Sequence, residues 1–213
     1  MAHPYWPLFD LEVHTPRVTL RYVDDVLSAE LARLAAKGVH EPGYMPFSIP
    51  WTDAPSPQLE RNAMQFHWRT RADTTPDGWR IPFATIVEDT VVGSTDLTAS
   101  RFPILRQFET GSWLGREYQG RGIGKEMRLA ALAVGFDGLD AEWATTAAWT
   151  DNGPSLGVTR SLGYEEKGRQ RDVRQGKADE QLQFRMSAAH FATIRRDDIG
   201  ISGLAPVREF LGL

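Results

Sequence analysis

A group of three glycines within five residues could hold an anion. Gly120, Gly122 and Gly124 lie between a predicted strand and a long predicted helix, and Arg121 and Lys125 add positive charge. Glycine lets a backbone turn sharply and leaves space for a ligand. The first N–H groups of a helix lack internal partners, and the helix dipole favours negative charge there. The segment is therefore typical of a turn that binds phosphate groups.

Two widespread phosphate-binding patterns do not fit this turn. A P-loop needs a glycine five residues before its Gly-Lys-Ser/Thr ending, but Gln119 holds that position before Gly124, and Glu126 follows Lys125. The dinucleotide pattern needs a glycine where this chain has Lys125 or Met127. A nucleotide-binding protein of another fold is therefore disfavoured, and a tight turn that holds no ligand remains as an alternative.

Hydrophobic periodicity predicts the elements that position this turn. The predicted order is β-α-α-β-β-β-α-β-α-β-β, which indicates a mixed α/β sheet rather than a regular βαβ repeat. The predicted strands span 18–22, 79–88, 90–98, 107–114, 142–149, 164–174 and 179–186. The predicted helices, counted from their caps, span 24–37, 56–71, 122–137 and 151–162, and the tail is expected to be helical in part.

Two local expectations concern side-chain placement. Gly111, inside a predicted strand, indicates a bulge or a close approach of another group to the backbone. In the second predicted helix, the spacing places Leu59, Ala63, Phe66 and Thr70 on the inward face. Gly111 lies in the predicted strand before the glycine turn, and the second predicted helix follows the proline-rich segment 38–57.

Length and composition limit the class of protein. The chain has 213 residues, which favours one large domain, and its 41% hydrophobic and 24% charged residues are those of an ordinary globular protein. It contains no cysteine, which excludes disulfides, zinc–thiolate sites and a cysteine nucleophile; we expect no metal and a cytoplasmic location. The net charge of −4 argues against nucleic-acid binding. The longest apolar run, 129–136, is far shorter than the ~20 residues of a membrane span.

The glycine turn and the next helix resemble those of one family. Gln119, Gly122 and Gly124 match Q/R-x-x-G-x-G/A, the pyrophosphate loop of the GNAT superfamily of acyl-CoA-dependent N-acetyltransferases. Asn152 and Ser155 match the first two fixed positions of N-x-x-S-x-x-V-x-x-x-L-G-F/Y, a helix pattern of the family's ribosomal-protein N-acetyltransferase-like branch. The other positions of that pattern are filled by Val158, Leu162, Gly163 and Tyr164. The strand 109–115 and the predicted element order are also similar to this family.

The resemblance implies a fold and an activity. The expected fold is the GNAT fold, a mixed, mostly antiparallel sheet of about seven strands flanked by helices, in a single domain over 1–213 with 187–213 as a C-terminal extension. The implied activity is transfer of an acetyl group from acetyl-CoA to a primary amine, on a small molecule or a protein N-terminus, by direct attack. The family's frequent pairing of C-terminal strands also makes a homodimer an expected partner arrangement.

The resemblance assigns most of the candidate site to acetyl-CoA. Backbone groups of the strand before the loop would bind the pantetheine arm and polarise the thioester, and the loop N–H groups would hold the pyrophosphate. The implied cofactor residues are Trp113, Leu114, Gln119, Gly120, Arg121, Gly122, Ile123, Gly124, Lys125, Asn152 and Ser155. A plain helix cap is an equal alternative for Asn152.

The candidate catalytic residues follow from a departure from the family pattern. Many members carry Tyr seven residues after the helix Asn, where this chain has Thr159. The Ser155 hydroxyl is therefore the candidate donor of a proton to the leaving thiolate, and Glu109 is the candidate base for the attacking amine. A helix serine bonded to backbone and a solvated surface glutamate are the alternatives. His40 and His67 are further candidate bases.

A proline-rich segment, 38–57, is expected to form the acceptor pocket. It is long for a loop in a compact domain, which indicates either a function or poor order, and its aromatic residues argue against plain disorder. In the family, this part of the chain lies opposite the cofactor. The candidate substrate-binding residues are His40, Tyr44, Phe47 and Trp51. Aromatic packing beneath a long loop is the alternative.

A second function on the same fold stays open at this stage. Because Thr159 replaces the commonest acid, the chain could instead be a non-catalytic, regulatory module that binds acyl-CoA. Substitution in the glycine turn should abolish CoA binding under both hypotheses. Loss of the Ser155 hydroxyl should slow turnover only under the first.

Overall fold

A nine-stranded sheet runs through residues 3–213, which are the residues that this computed structural model describes. Its strands are β1 (Glu12–His14), β2 (Thr19–Tyr22), β3 (Gly78–Val87), β4 (Thr90–Ser100), β5 (Gln107–Leu114), β6 (Trp143–Trp149), β7 (Glu165–Arg174), β8 (Lys177–Ser187) and β9 (Gly200–Ser202). The helices are α1 (Asp25–Lys37), α2 (Gln58–Ala72), α3 (Phe102–Leu105), α4 (Ile123–Ala133), α5 (Gly153–Ser161), α6 (Ala188–Ile194) and α7 (Leu204–Phe210). The predicted mixed, mostly antiparallel sheet with flanking helices is confirmed.

The sheet has two strands more than the seven predicted from the sequence. These are β1 and β9, which pair with each other at one edge through Val13 and Ile201. Each has only three residues, so neither shows enough alternation to be recognised from its pattern. The tail that contains β9 belongs to the core, because Phe191, Val207 and Leu211 are buried in the main apolar cluster.

The strand order β7-β8-β6-β5-β4-β3-β2-β1-β9 contains one parallel pair, β5 with β6. These two strands are in register over three residues only, from Gln107 opposite Trp143 to Glu109 opposite Thr145. All other neighbours are antiparallel. Beyond Glu109 the two strands separate, and a cleft opens inside the sheet.

Helix α1 begins and ends where the sequence predicts. The Asp24 carboxylate accepts a hydrogen bond from the Leu27 N–H at 2.8 Å, and Gly38 follows the last residue with a φ of 117°. Leu27 and Leu31 pack with Ala84 of β3 in a small apolar cluster on one face of the sheet. Helix α1 therefore covers one face of β3 and β4, and the proline-rich segment begins at the end of this helix.

Helix α2 presents the predicted inward face only in part. Phe66 was expected inward but is 38% exposed, and Ala63 is only half-buried, whereas Leu59, His67 and Thr70 are buried. Hydrophobicity alone placed Phe66 inward, whereas the residue that is buried at this point of the helix is the neighbouring His67. The predicted inward placement of Phe66 is wrong.

Burial of His67 makes the fold sensitive to acid. One ring nitrogen lies 2.7 Å from the Ser28 hydroxyl, and burial, with the nearby Arg71 charge, lowers the pKa of His67 to about 4. As the pH falls, the unfolded chain gains a proton near pH 6.5, before the folded protein does, so stability is lost between about 6.5 and 4. We expect this residue to reduce the free energy of unfolding by ~2 kcal/mol between pH 7 and pH 5.

Urea denaturation of the native protein and of His67→Gln at both pH values measures this effect. The variant should lose less stability than the native protein on acidification, and the difference between the two losses isolates this histidine from all other titrating groups. Equal losses in both proteins would show that His67 is not the acid-sensitive group.

Helix α4 sets the distance between the glycine turn and β5. It continues as one π-helical turn, Val134–Gly138, and almost its whole surface is buried. A Cβ atom at Gly135 would lie 2.2 Å from the Phe108 ring, so this close approach of helix to strand requires glycine. The turn that begins α4 is thereby held beside the end of β5. None of the helices in residues 3–213 is long and apolar enough to cross a membrane.

Candidate active site

The gap between β5 and β6 forms a cleft of about 430 Å³. The cleft reaches both faces of the sheet, because it is lined by side chains of β5, β6, α4 and α5 and by the proline-rich segment. Ten of the predicted site residues line it, which are His40, Tyr44, Phe47, Glu109, Trp113, Leu114, Gln119, Gly124, Asn152 and Ser155. The structure thus brings together residues that are more than a hundred positions apart in the sequence.

The glycine turn presents a row of unpaired amides at one end of the cleft. Gly120 and Gly122 have φ values of 73° and 79°, in the left-handed region that favours glycine, and α4 begins at Ile123. Among the described residues, the N–H groups of 120–125 donate to no acceptor. The Ile123 side chain is buried in the core, so only its backbone faces the turn. Unpaired amides and a helix dipole in this arrangement are suited to bind an anion.

The charges around the turn keep it attractive to anions. Glu126, in the first turn of α4, would oppose an anion, but the Arg17 guanidinium binds its carboxylate at 2.7 Å. Although burial acts in the opposite direction, hydrogen bonds from Thr15 and Arg17 lower the pKa of Glu126. Arg121 lies over the Tyr118 ring at 5.8 Å, and the Lys125 ammonium donates to the Ser161 carbonyl.

Gln119 connects the turn to its neighbours through its side chain. Its Nε2 donates to the Val39 carbonyl at 2.7 Å and to the Leu114 carbonyl at 3.0 Å. The side chain therefore ties the start of the proline-rich segment to the end of β5. This contact accounts for a glutamine at the first position of the motif without requiring the amide to touch a ligand.

One edge of β5 is open where β6 diverges. The Phe108 and Thr110 carbonyls still accept hydrogen bonds from the hydroxyls of Thr145 and Thr146 on β6. Because successive residues of a strand point their backbone groups to alternate sides, the amides of Ser112 and Leu114 face the cleft. By the same alternation, the backbone N–H of Trp113 points towards β4 and not into the cleft. Its indole packs against Trp51 at 5.7 Å on the α1 face.

Arg128 is a cleft residue that the sequence analysis missed. It is only 3% exposed, and its guanidinium joins the two separated strands by donating to Thr146 Oγ1 at 3.3 Å and to Ser112 Oγ at 3.1 Å. The signal in the sequence was a charged residue inside the apolar helix that runs on to Phe136. The apolar residues around it predict a buried helix but do not indicate what the arginine contacts.

Asn152 and Ser155 lie at the start of α5, on the β6 side of the cleft. The Asn152 Oδ1 accepts the Ser155 N–H at 3.2 Å, so the asparagine is the helix cap that the alternative reading expected. Its amide nitrogen remains available to the cleft. The Ser155 hydroxyl makes no hydrogen bond within residues 3–213, and it also lines the cleft.

Glu109 lies in a charged cluster on the α1 face of the sheet. The Arg80 Nε is 3.1 Å from the Asp96 carboxylate, which also accepts the Gly111 N–H at 3.1 Å. The Asp96 carboxylate takes the space of a side chain at Gly111, which is the close approach predicted there. Partial desolvation by the walls of the cleft raises the pKa of Glu109, although its side chain is open to solvent, and the Asp96 charge adds to the effect. The carboxylate can therefore accept a proton more readily than an ordinary glutamate.

The proline-rich segment crosses the cleft and is attached on both banks. Beside β5, Gln119 donates to the Val39 carbonyl at 2.7 Å; on the β6 side, Tyr44 donates to Asp151 at 3.3 Å and Gln181 of β8 donates to Ser48 at 2.9 Å. Burial, together with Asp151, raises the pKa of Tyr44 to about 12, so this phenol stays neutral. The segment is ordered and contains one short helical turn, Trp51–Asp53.

The remaining candidates are placed away from the reacting region or are already bonded. His40 has both ring nitrogens engaged, one 3.0 Å from the Glu41 carbonyl and the other 2.7 Å from the Thr52 hydroxyl. Trp51 does not line the cleft but packs behind Phe47 at 5.3 Å. His67 lies between α1 and α2, bonded to Ser28, and is no neighbour of the cleft.

Comparison with known proteins places this site in a class. The family described as "Acetyltransferase (GNAT) domain" matches residues 17–165, which include the open β5 edge, the glycine turn and α5. The protein is therefore an acetyltransferase by its domain. It belongs to the GNAT family.

Solved structures share this fold at low sequence identity. Mycobacterium smegmatis RimJ in complex with CoA-disulfide has a TM-score of 0.71 and 21% identity, covering 90% of this chain and 96% of that chain. RimL, a ribosomal L7/L12 alpha-N-protein acetyltransferase in complex with coenzyme A, has a TM-score of 0.67 and 17% identity over 81% and 95%. A spermidine N-acetyltransferase SpeG chimera from Vibrio cholerae and hSSAT gives 0.66 and 16% over 83% and 98%. The likeness to RimJ and RimL agrees with the predicted branch at the level of fold.

Proposed function

We propose that the protein transfers an acetyl group from acetyl-CoA to a primary amine. The observation that carries this proposal is the continuous path from unpaired amides at the head of α4 to the open edge of β5. Six amides at 120–125 suit a diphosphate, and the inward amides of Ser112 and Leu114 suit a chain of amide groups such as pantetheine. Asn152 and Ser155 would contact the sulfur end from the opposite bank.

The transfer itself needs positioning and two proton movements. The amine nitrogen attacks the thioester carbon, a C–N bond forms, and the C–S bond breaks to release a thiolate. We propose that an amide on the open β5 edge donates to the oxygen that gains charge during the attack. Glu109, directly or through water, would take the ammonium proton, and the Ser155 hydroxyl would protonate the thiolate.

The crossing segment favours an acceptor amine on a slender group. Val39, Tyr44 and Ser48 line the cleft, and the attachment of their segment on both banks narrows the approach to it. A small polyamine-like molecule or a flexible protein N-terminus fits such an approach, whereas the surface of a folded domain does not. His40, Tyr44 and Phe47 would contact this acceptor, with Trp51 supporting them.

Calorimetry followed by an assay of thiol release tests the proposal. We expect acetyl-CoA to bind, and a panel of small amines and N-terminal peptides to contain acceptors that release free CoA. Failure of acetyl-CoA to bind would contradict the proposed function. Binding without thiol release across the panel would favour the alternative of a regulatory acyl-CoA-binding module.

Removal of the Ser155 hydroxyl separates catalysis from binding. Because the cap uses the backbone N–H of this residue, Ser155→Ala should keep α5 intact and leave the dissociation constant of acetyl-CoA within about threefold. We expect kcat to fall on the order of 10²-fold. Ser161→Ala is the matched control, because Ser161 lies at the end of the same helix and outside the cleft. An unchanged kcat in Ser155→Ala would exclude this hydroxyl as the proton donor.

Two further expectations from the sequence remain predictions. These are the cytoplasmic location and the homodimer formed through C-terminal strands. Strand β7, at the outer edge of the sheet, is the surface on which such a dimer would depend.

A further inference from the structure

The cleft contains a buried arginine that lacks an acidic partner. Arg128 is 3% exposed, and its Nη1 and Nη2 donate to the hydroxyls of Thr146 and Ser112. Its Nε is buried and has no hydrogen-bond partner. Within residues 3–213, no carboxylate lies within 4.0 Å of this guanidinium. Because a buried cation without a counter-charge is costly, the site is built to receive an anion.

The acidic groups near Arg128 are already engaged. Burial raises the pKa of Asp96, and the charges of Arg80 and Arg128 oppose this shift only in part. Asp96, however, pairs with Arg80 at 3.1 Å and accepts the Gly111 N–H. Glu109 lies on that same face of β5, whereas Ser112, which binds Arg128, lies on the opposite face. Neither carboxylate therefore completes the hydrogen bonding of Arg128.

The position of Arg128 places it on the side of the acyl donor. It lies in α4, one turn after Gly124, and its head contacts Ser112, whose amide faces the cleft. An acetyl group offers nothing to a guanidinium and two hydroxyls, whereas a carboxylate matches the fork of an arginine. We propose that the transferred acyl group ends in a carboxylate that Arg128 binds, so that the donor is a dicarboxylic acyl-CoA.

This inference rests on the proposed function for the binding of coenzyme A and the attack by an amine, and it replaces the acetyl group of that proposal with an acyl group that ends in a carboxylate. The bonds that form and break are those of the acetyl reaction, with C–N formed, C–S broken, and one proton passed from the amine to the thiolate. The terminal carboxylate keeps its charge throughout and serves only to hold the acyl group. Arg128 is thus a residue that determines specificity.

Non-reacting thioethers of coenzyme A test the donor directly. S-(2-carboxyethyl)-CoA and S-(3-carboxypropyl)-CoA are compared by calorimetry with S-propyl-CoA and S-butyl-CoA, which match them in length but are neutral. We expect the native protein to bind at least one acid about 100-fold more tightly than its neutral match. Arg128→Met should remove this preference and bind coenzyme A itself within threefold of the native protein. Arg128→Lys should retain part of the preference.

Each outcome decides the inference. Because the comparison within the native protein needs no variant, it stands even if a substitution at a buried site impairs folding. Native protein that binds coenzyme A but does not prefer either acid would overturn this inference and leave the proposed function intact. Absence of binding by coenzyme A and all four thioethers would overturn both. A different result would be that Arg128→Met leaves the donor preference unchanged but no longer prefers an amino acid to the corresponding decarboxylated amine as acceptor. In that case Arg128 binds a carboxylate of the acceptor, and the donor assignment is overturned.

Discussion

Gly124→Glu is expected to weaken the binding of coenzyme A by about 100-fold or more. The substitution places a carboxylate beside the unpaired amides at the head of α4, where a diphosphate would lie, and like charges so placed cost several kcal/mol. Gly124 has no positive φ, and a Cβ there would meet Val158 at 3.6 Å, which is ordinary contact. The backbone therefore tolerates a side chain, and the loss reflects charge and bulk at the site.

Gly124→Ala is the matched control for this experiment. Its methyl group fits the same space without adding charge, and the motif itself allows alanine at this position. We expect the dissociation constant for coenzyme A to remain within about threefold of the native value by calorimetry. Melting curves of both variants, measured without coenzyme A, check that each is folded. Unchanged affinity in Gly124→Glu would place the diphosphate elsewhere and remove the basis of the proposed function.

Glu109→Gln is expected to lower kcat/KM by about 10²- to 10⁴-fold, the usual range for loss of a general base. Glutamine keeps the shape of the side chain but cannot take the proton of the amine. Affinity for coenzyme A should stay unchanged, because the proposed function places Glu109 beside the acceptor and away from the diphosphate. Glu88→Gln, in the β3–β4 turn far from the cleft, is the control.

The pH profile provides an independent check of the same role. Only the ionised carboxylate is a base, so activity should rise with pH through the raised pKa of Glu109. We expect the acidic limb of the profile to disappear in Glu109→Gln. A profile that keeps this limb, or a variant with native activity, would show that another group or the solvent accepts the proton.

The sequence predicted the parts of the site that depend on local patterns. The glycine turn, the cap at Asn152 and the boundaries of β5 each follow from residues close together in the chain. Turn chemistry, capping and alternation all act over a few positions, so a single sequence carries them. The order of the central elements followed for the same reason.

The rest of the site depends on contacts between distant segments. Arg128 becomes a cleft residue only because β5 and β6 separate after three residue pairs. This separation leaves the Thr146 hydroxyl within reach of the Arg128 guanidinium. The raised pKa of Glu109 requires Asp96 on another strand. His67 is buried by Ser28, 39 positions away, which a pattern of apolar residues could not indicate. Long-range pairing of this kind leaves no mark within a short window of sequence.

The parting of β5 from β6 also bears on how the molecule avoids self-association. Unsatisfied strand edges invite pairing with other chains and can start fibrils. Here the row left open on β5 lines a cleft between α5 and the proline-rich segment, which restricts the access of a strand from another chain. The outermost long strand, β7, is exposed but consists mostly of charged residues and contains an irregularity between Glu166 and Gly168. The protein thus places one open edge inside its cleft, whereas the charged side chains and irregular register of β7 make its outer edge a poor template for unspecific pairing.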